Sequence, residues 1–375
     1  MSSNKKIILH IFQRSIFLKQ YLDLLVKTDS EIEHVFLIYG TDWHTGQVSY
    51  PEYDDRFKFI DIEPPNSHIR LDKIYASNVR LLLKKCNLVI VHALHTSSII
   101  FLYLHPYVLK KTLWLVWGEE LLYYKGGDKS NAIQYYQRRF VQYIKYILKK
   151  LLIKRIKYVQ STSTEYNIIK KYYSSKILPL SIDCRYGIIS IDQRHTSNSG
   201  HTNIVIGHSG FPTGKHIDVL DLLSKFKNED ITIYLPLSYG FPEYIETVKY
   251  KAYSIFKEEK VVILSEFMNQ GDYYTLLSKM DVGIYNAENQ TGLGNIWALF
   301  LSGAKIYLNK DGINCKIFSE KGLHFYSVSS IASQSYIGFR EFDTKSSQNN
   351  VYISKKILEN ESEAIRQWEN IFNLN

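Results

Sequence analysis

The sequence predicts an α/β protein built as two parallel-sheet domains, and three observations carry that prediction. Short apolar runs alternate with amphipathic helical stretches along nearly the whole chain, the pattern of parallel strands covered by helices on both faces. A polar segment without apolar residues, 192–202 (DQRHTSNSGHT), separates two such alternations. The length, 375 residues, suffices for two sizeable cores. Two sheets of this kind joined by a linker describe a two-domain enzyme with an interdomain cleft.

In the first half, residues 6–12 read as a strand, 15–25 as an amphipathic helix and 34–39 as a second strand ending at Gly40. Residues 42–55 are irregular and polar. A third strand, 57–62, is stopped by Pro64-Pro65. Residues 69–85 look helical, 88–92 form a buried strand, and 112–117 another, followed by Gly118, Glu119 and Glu120. A helix over 134–159 and strands over 158–163 and 176–180 close this half. Ligands on parallel sheets sit at the carboxyl ends of the strands. His92, His95, Trp117, Gly118, Glu119 and Glu120 are expected there. Asp61-Ile62-Glu63 reads as a turn rather than a metal-binding acidic triplet, and no metal is expected.

In the second half, strands over 203–206, 231–235, 261–264 and 282–285 are each followed by a polar or glycine-bearing loop and a helix. The loop after 282–285 carries Glu288, Asn289, Gln290, Thr291, Gly292, Gly294 and Asn295 onto a helix N-terminus. Free amides at the positive end of a helix dipole suit a phosphate or diphosphate, and glycines let the backbone come close. Read alone, that loop also fits an ordinary β–α turn. It lacks both the third glycine of a dinucleotide fingerprint and the Lys-Ser/Thr of a P-loop. Three more strand ends converge with it: Gly207, His208, Ser209 and Gly210; Pro236, Ser238, Tyr239 and Gly240; and Glu266 with Phe267. Small residues, hydroxyls, a carboxylate and a helix N-terminus together suit a nucleotide sugar. Residues 354–372 are expected to form a last helix running back to the first domain. The expected division is therefore 1–190, a linker 191–202, 203–353, and the helix within 354–375.

Composition narrows the class. Apolar content of 45% and charged content of 22% are those of a globular protein. Cys86, Cys184 and Cys315 are odd in number and widely spaced, giving neither a disulfide framework nor metal-ligand spacing and pointing to a reducing compartment. The first apolar run reads as a strand rather than a signal peptide, and no run approaches the roughly 20 residues of a membrane span. The net charge is +9, and residues 129–164 hold nine Lys or Arg and no acid, so the whole excess lies there. Arg138, Arg139, Lys145, Lys149, Lys150, Lys154 and Arg155 flank an apolar helical face formed by Phe140, Val141, Ile144, Ile147, Leu148, Leu151 and Leu152. That helix reads either as a domain helix with a solvated basic face or as one that docks on an anionic membrane surface. Nucleic acid is disfavoured as a partner because no nucleic-acid module accompanies the patch.

Several motifs resemble glycosyltransferase family 56, the family of TDP-N-acetylfucosamine:lipid II N-acetylfucosaminyltransferases. They are WGEELLYY at 117–124, GHSG at 207–210 followed by His216, YLPLSYG and PEYIETVK over 234–249, LSEFM at 264–268, DVGIY at 281–285, QTGLGNI at 290–296 and GAKIYLNK at 303–310. The likeness is clearest over 203–310 and patchy around Trp117. It implies a GT-B architecture of two Rossmann-like domains, with the acceptor on the first and the sugar nucleotide on the second. It also implies a dTDP-sugar donor, with a UDP-sugar as the alternative. The implied acceptor is a polyprenyl-diphosphate-linked glycan at the cytoplasmic face of the bacterial inner membrane, where the protein would be peripheral. The family's loop residues fall on Gly207, Ser209 and His216, its Ser-Glu pair on Ser265 and Glu266, and its tyrosine on Tyr273. Three positions depart: His208 replaces asparagine, Asn289 stands where the family has arginine, and Glu120 where it has aspartate. Lys215 or the helix N-terminus would then hold the diphosphate.

For the acceptor, a carboxylate or imidazole must reach its hydroxyl. Glu120, Glu119 and His92 are the candidates, Glu120 being favoured, with His95, Trp117, Gly118 and Glu119 around the acceptor. A nucleotide-sugar epimerase or hydrolase of the same fold, and a non-catalytic sugar-nucleotide-binding subunit, are the alternatives.

Overall fold

Strands buried on both faces need continuous apolar runs, and this chain supplies them on either side of its polar segment. The computed structural model describes residues 5–15, 17–29, 31–40, 55–62, 77–121, 132–174, 176–180, 191 and 200–374, but not the side chains of 119 and 132–142. The irregular segment expected at 42–54, the first turns of the helix expected from 69, residues 122–124 of the tryptophan motif and most of the linker lie outside the described residues.

Seven parallel strands form the first sheet: β1 (Lys6–Gln13), β2 (Ile32–Tyr39), β3 (Phe57–Asp61), β4 (Leu88–His92), β5 (Thr112–Leu115), β6 (Tyr158–Gln160) and β7 (Leu178–Leu180). Their order is β3-β2-β1-β4-β5-β6-β7, so the winding reverses between β1 and β4. The helices are α1 (Phe17–Leu25), α2 (Ser77–Lys85), α3 (Thr96–Leu104), α4 (Ala132–Ile153) and α5 (Ser163–Tyr172). Alternate residues build two cores. Leu9, Val35, Val89, Val91 and Trp114 share one with Phe101, Leu102 and Leu152. Ile8, Phe12, Phe36 and Ile90 share the other with Tyr21, Leu22, Trp368 and Phe372.

Three histidines interrupt the second of these cores. His10, His34 and His92 are fully buried on neighbouring strands. His10 Nδ1 lies 3.2 Å from His92 Nε2, and His10 Nε2 lies 3.0 Å from His34 Nδ1. A neutral imidazole offers one donor and one acceptor, so the row partners both ring nitrogens of the central His10. Burial holds His10 and His92 well below the ordinary histidine range. At the end of β1, Arg14 donates to Gly40 O and pairs with Asp61, tying the carboxyl ends of β1, β2 and β3. Asp61 is thus engaged within the turn.

The second sheet comprises β8 (Thr202–Ile206), β9 (Ile231–Pro236), β10 (Val261–Leu264), β11 (Val282–Tyr285), β12 (Lys305–Leu308) and β13 (Tyr326–Ser327), all parallel, in the order β10-β9-β8-β11-β12-β13. Its helices include α6 (His216–Leu223), α7 (Pro242–Ile255), α8 (Gln270–Leu277), α9 (Leu293–Ser302) and α10 (Ile313–Glu320). A Cβ at Gly283 would sit 2.5 Å from Leu299 Cδ1, so the bare strand position lets α9 press onto β11.

The chain divides into Met1–Gly187 with Ser362–Asn375, and Ile188–Glu361. The first boundary precedes the linker expected at 191–202. The second falls inside the helix expected over 354–372, which is in fact two helices, Thr344–Leu358 and Glu361–Phe372. A turn at Glu359 separates them, with Glu361 N donating to Glu359 O at 3.0 Å. Leu358 joins a core of the second unit, whereas the Trp368 ring lies tilted against Tyr21 in the first, with centroids 4.6 Å apart. Residues 96–104, 163–172 and 313–320 form helices that periodicity did not reveal. For 163–172 a signal was present: Thr162 and Glu165 form a capping box.

Candidate active site

In the second unit the winding reverses between β8 and β11, and an open α/β sheet binds ligands beside such a point. Gly207 N extends the ladder to Ile284 O at 3.0 Å, and the chain then turns through a left-handed Gly207, φ +67°. A Cβ there would meet His216 Nε2 at 2.5 Å. His216 is fully buried, and its Nδ1 lies 3.4 Å from Tyr244 Oη. His208 lies beside Thr291, whose Oγ1 is 3.0 Å from Nε2, and under Gly292. Burial, with the neighbouring His216, takes His208 down to about 4, and burial does the same to His216. Both rings are therefore neutral near pH 7 and bring no cation to a phosphate.

Positive potential comes from elsewhere. Lys215, left-handed at φ +51°, pairs its Nζ with Glu288 Oε1 at 2.5 Å, joining the β8 and β11 loops. Helix α9 starts from a left-handed Gly292 that provides no side-chain cap, and its first bond runs from Ile296 N to Gly292 O. The earlier amides thus stand at an uncapped helix N-terminus. The loop is braced from behind: Ile313 N donates to Glu288 O at 2.9 Å, and Asn314 Nδ2 to Thr291 O at 2.8 Å. Asn295 Nδ2 donates to Tyr273 Oη at 2.7 Å. Burial raises the phenols of Tyr273 and Tyr285, which stay protonated as donors.

The β9 loop is clamped to the β8 loop. Gly210 N donates to Tyr239 O at 2.6 Å and Phe241 N to Gly210 O at 3.0 Å. Gly240 has φ +140°, and any Cβ there would overlap the Gly210 backbone. The structure thus brings together Gly207, His208, Ser209, Gly210, Lys215, His216, Tyr239, Gly240, Glu288, Thr291 and Gly292, with Tyr273 and Asn295 alongside. Pro236 ends β9, and Ser238 is half-buried beyond it. Asn289 and Gln290 are half-buried in the loop, and Gly294 is in the first turn of α9. Glu266 and Phe267 lie exposed after the edge strand β10. Sequence reading missed Tyr244 and Asn314, which lie in ordinary helical stretches and announce no role.

In the first unit His92 needs correction. Fully buried and bonded to His10, it presents no open face to an acceptor. Glu120 is buried too, its Oε1 accepting from Trp114 Nε1 at 3.1 Å and Trp117 N at 3.0 Å. His95 is half-buried and packs edge-on to Trp117, beside a left-handed Gly118. The Glu119 side chain lies outside those described.

The basic helix also differs from expectation. Lys149 points inward, donating from Nζ to Glu120 O at 2.5 Å, and so leaves the outward patch. Lys150 lies over the Tyr146 ring. Lys145, Lys154 and Arg155 are exposed, while the side chains of Arg138 and Arg139 are outside those described. Of the apolar face, Ile144, Leu148 and Leu151 are 41–50% exposed, alongside Tyr143, whereas Leu152 is buried. Among the described residues no helix is long and apolar enough to cross a membrane, and no group of three or more His, Cys, Asp or Glu is arranged to hold a metal ion.

The family model described as 4-alpha-L-fucosyltransferase, glycosyl transferase group 56, matches residues 75–349. The chain belongs to glycosyltransferase group 56. As a group 56 member it is a glycosyltransferase, and solved structures agree on its GT-B fold. Sucrose-phosphate synthase from Thermosynechococcus elongatus has TM-score 0.72 at 10% identity, covering 97% of this chain and 98% of that one. Anabaena HepE, solved with UDP and glucose, has TM-score 0.62 at 12% identity, covering 98% and 100%. A Rickettsia africae glycosyltransferase has TM-score 0.62 at 14% identity, covering 99% and 98%.

Proposed function

We propose that this glycosyltransferase moves a deoxy or amino-deoxy sugar from a dTDP-sugar to a polyprenyl-diphosphate-linked glycan. The donor would bind the second domain and the acceptor the first. The observation that carries the donor half is the uncapped N-terminus of α9 beside Lys215 at the β8–β11 reversal. Amides and one lysine would hold the diphosphate that leaves when the acceptor oxygen attacks the anomeric carbon. Neutral His208 and His216 would shape the pocket, while Tyr273 and Asn295 donate hydrogen bonds to it. A UDP-sugar is the alternative donor; HepE was solved with UDP.

The lipid-linked acceptor is supported by α4. Its stripe of Ile144, Leu148 and Leu151 faces outward among Lys145, Lys154 and Arg155. A helix with exposed apolar residues rimmed by cations suits the cytoplasmic, anionic face of a bacterial inner membrane. An epimerase or hydrolase acting on a soluble substrate has no use for that face. The test is flotation with vesicles containing anionic phospholipid, combined with transfer of radiolabel from a dTDP-sugar into lipid extract. Leu148→Glu with Leu151→Glu should leave the protein in the soluble fraction and abolish labelling of lipid. Undiminished flotation would overturn the membrane reading.

A further inference from the structure

The carboxyl ends of β4 and β5 hold a group of polar residues that the His92 and Glu120 assignments leave unexplained. Strand β4 borders the point where the first sheet reverses its winding, the usual ligand position of such a sheet. Directly after it, Ala93 adopts a left-handed conformation, φ +67°, which a residue with a Cβ rarely takes outside constrained or functional places. Ser98 Oγ stabilises the turn by donating to Ala93 O and His95 O at 3.1 and 3.0 Å. The turn delivers His95 to the N-cap of α3, where Ser, Thr, Asp or Asn would ordinarily bond the first amides. His95 makes no such bond. Local helix stability therefore does not explain the residue.

Two buried atoms there lack hydrogen-bond partners: His95 Nε2 and Glu120 Oε2. Buried polar atoms are nearly always paired, so two orphans of complementary chemistry in one place call for an account. Burial holds the His95 imidazole below the ordinary histidine range, while the Glu120 carboxylate favours its charged form and Lys149 opposes it. Lys149 holds the Glu120 backbone, and Trp114 and Trp117 hold its Oε1. Glu165 and Tyr173, both raised by burial, complete the titratable surroundings beside Glu120, as Lys145 does beside Lys149.

We infer that His95 takes the proton of the acceptor hydroxyl, and that Glu120 acts behind it as the carboxylate that stabilises the imidazolium. As the acceptor oxygen bonds to the anomeric carbon, its proton passes to His95 and the bond from that carbon to the diphosphate oxygen breaks. The nucleoside diphosphate departs with the electron pair, and the imidazolium later returns its proton to water. Glu120 is then a positioning residue, which its burial allows. This inference rests on the reading that the first domain carries the acceptor.

His95→Ala should lower transfer roughly 100-fold or more, the range of a lost general base, while the nucleotide-induced thermal shift persists. The decisive readout is the acidic limb of the rate–pH profile, since the base must be neutral to act. Glu120→Gln keeps an acceptor for the two tryptophans but removes the charge favouring imidazolium, so the limb should move to lower pH. Lys149→Gln removes an opposing cation, so it should move to higher pH. A merely structural role would not shift the limb in opposite directions. The pH dependence of His95 modification by diethyl pyrocarbonate, read by mass spectrometry without any substrate, should follow the same two shifts. Failure of the wild type to label lipid would then refute the acceptor reading alone. A modification profile unmoved in both variants, or His95→Ala retaining transfer within about threefold, would overturn the inference.

Discussion

Glu165 offers a pH-dependent test of the electrostatics around Glu120. The side chain is 1% exposed. Its Oε2 accepts from Thr162 N and Thr162 Oγ1, both at 2.9 Å. Burial dominates those bonds, and with the nearby Glu120 it raises the carboxyl from 4.5 to about 7. Each pH unit of such a displacement is worth about 1.4 kcal/mol, so ionising Glu165 in the folded state costs on the order of 3 kcal/mol. The folded chain binds more protons than the unfolded chain between 4.5 and about 7. Stability associated with this group is thus fully present below 4.5 and is lost as pH rises to about 7. Glu165→Gln retains both capping bonds and removes the ionisation. Denaturant unfolding at pH 5 and pH 8 should show the variant gaining on wild type by roughly 2–3 kcal/mol between the two conditions. A difference that is the same at both values would refute the burial argument.

Other perturbations report on packing. Gly240→Ala forces a Cβ into the Gly210 backbone at φ +140° and should destabilise the second unit by roughly 2–4 kcal/mol, read as a lower melting transition. Trp368→Ala removes a fully buried side chain from the core shared with Tyr21 and Phe372, and should cost about 3–5 kcal/mol in denaturant titration. Wild-type stability in that variant would show that the C-terminal helix is dispensable to the first core.

Both sheets were legible in the sequence because strands buried on two faces write long apolar runs, as in IILHIF and LVIVH. The glycine-bearing loop after β11 was legible too, since a polar stretch with Gly292 and Gly294 separates the apolar run 282–285 from the next helical stretch. The environments of single side chains were not. His92 and His95 differ by three residues and look alike in sequence, yet one completes a histidine row and the other stands beside Glu120. Periodicity located an apolar stripe on α4 but could not say which side of the helix meets the protein. Inward contacts by Lys149 and Tyr146, whose Oη donates to Tyr172 O at 2.7 Å, turn Ile144, Leu148 and Leu151 outward.

The central claim is that the nucleotide sugar binds at the N-terminus of α9, and a thermal-shift titration with dTDP tests it most directly. A ligand that binds only the folded state stabilises it by about 2.7 kcal/mol at a hundred times its Kd. Gly294 has room for a side chain, the nearest atom to a new Cβ being Tyr274 Oη at 3.5 Å. Gly294→Asp places a carboxylate where the phosphates would lie, at a helix end that favours acidic residues. The account predicts a dTDP-dependent rise in melting temperature that is lost in Gly294→Asp while the variant remains folded. No rise with dTDP or UDP, or a rise unchanged in the variant, would contradict it.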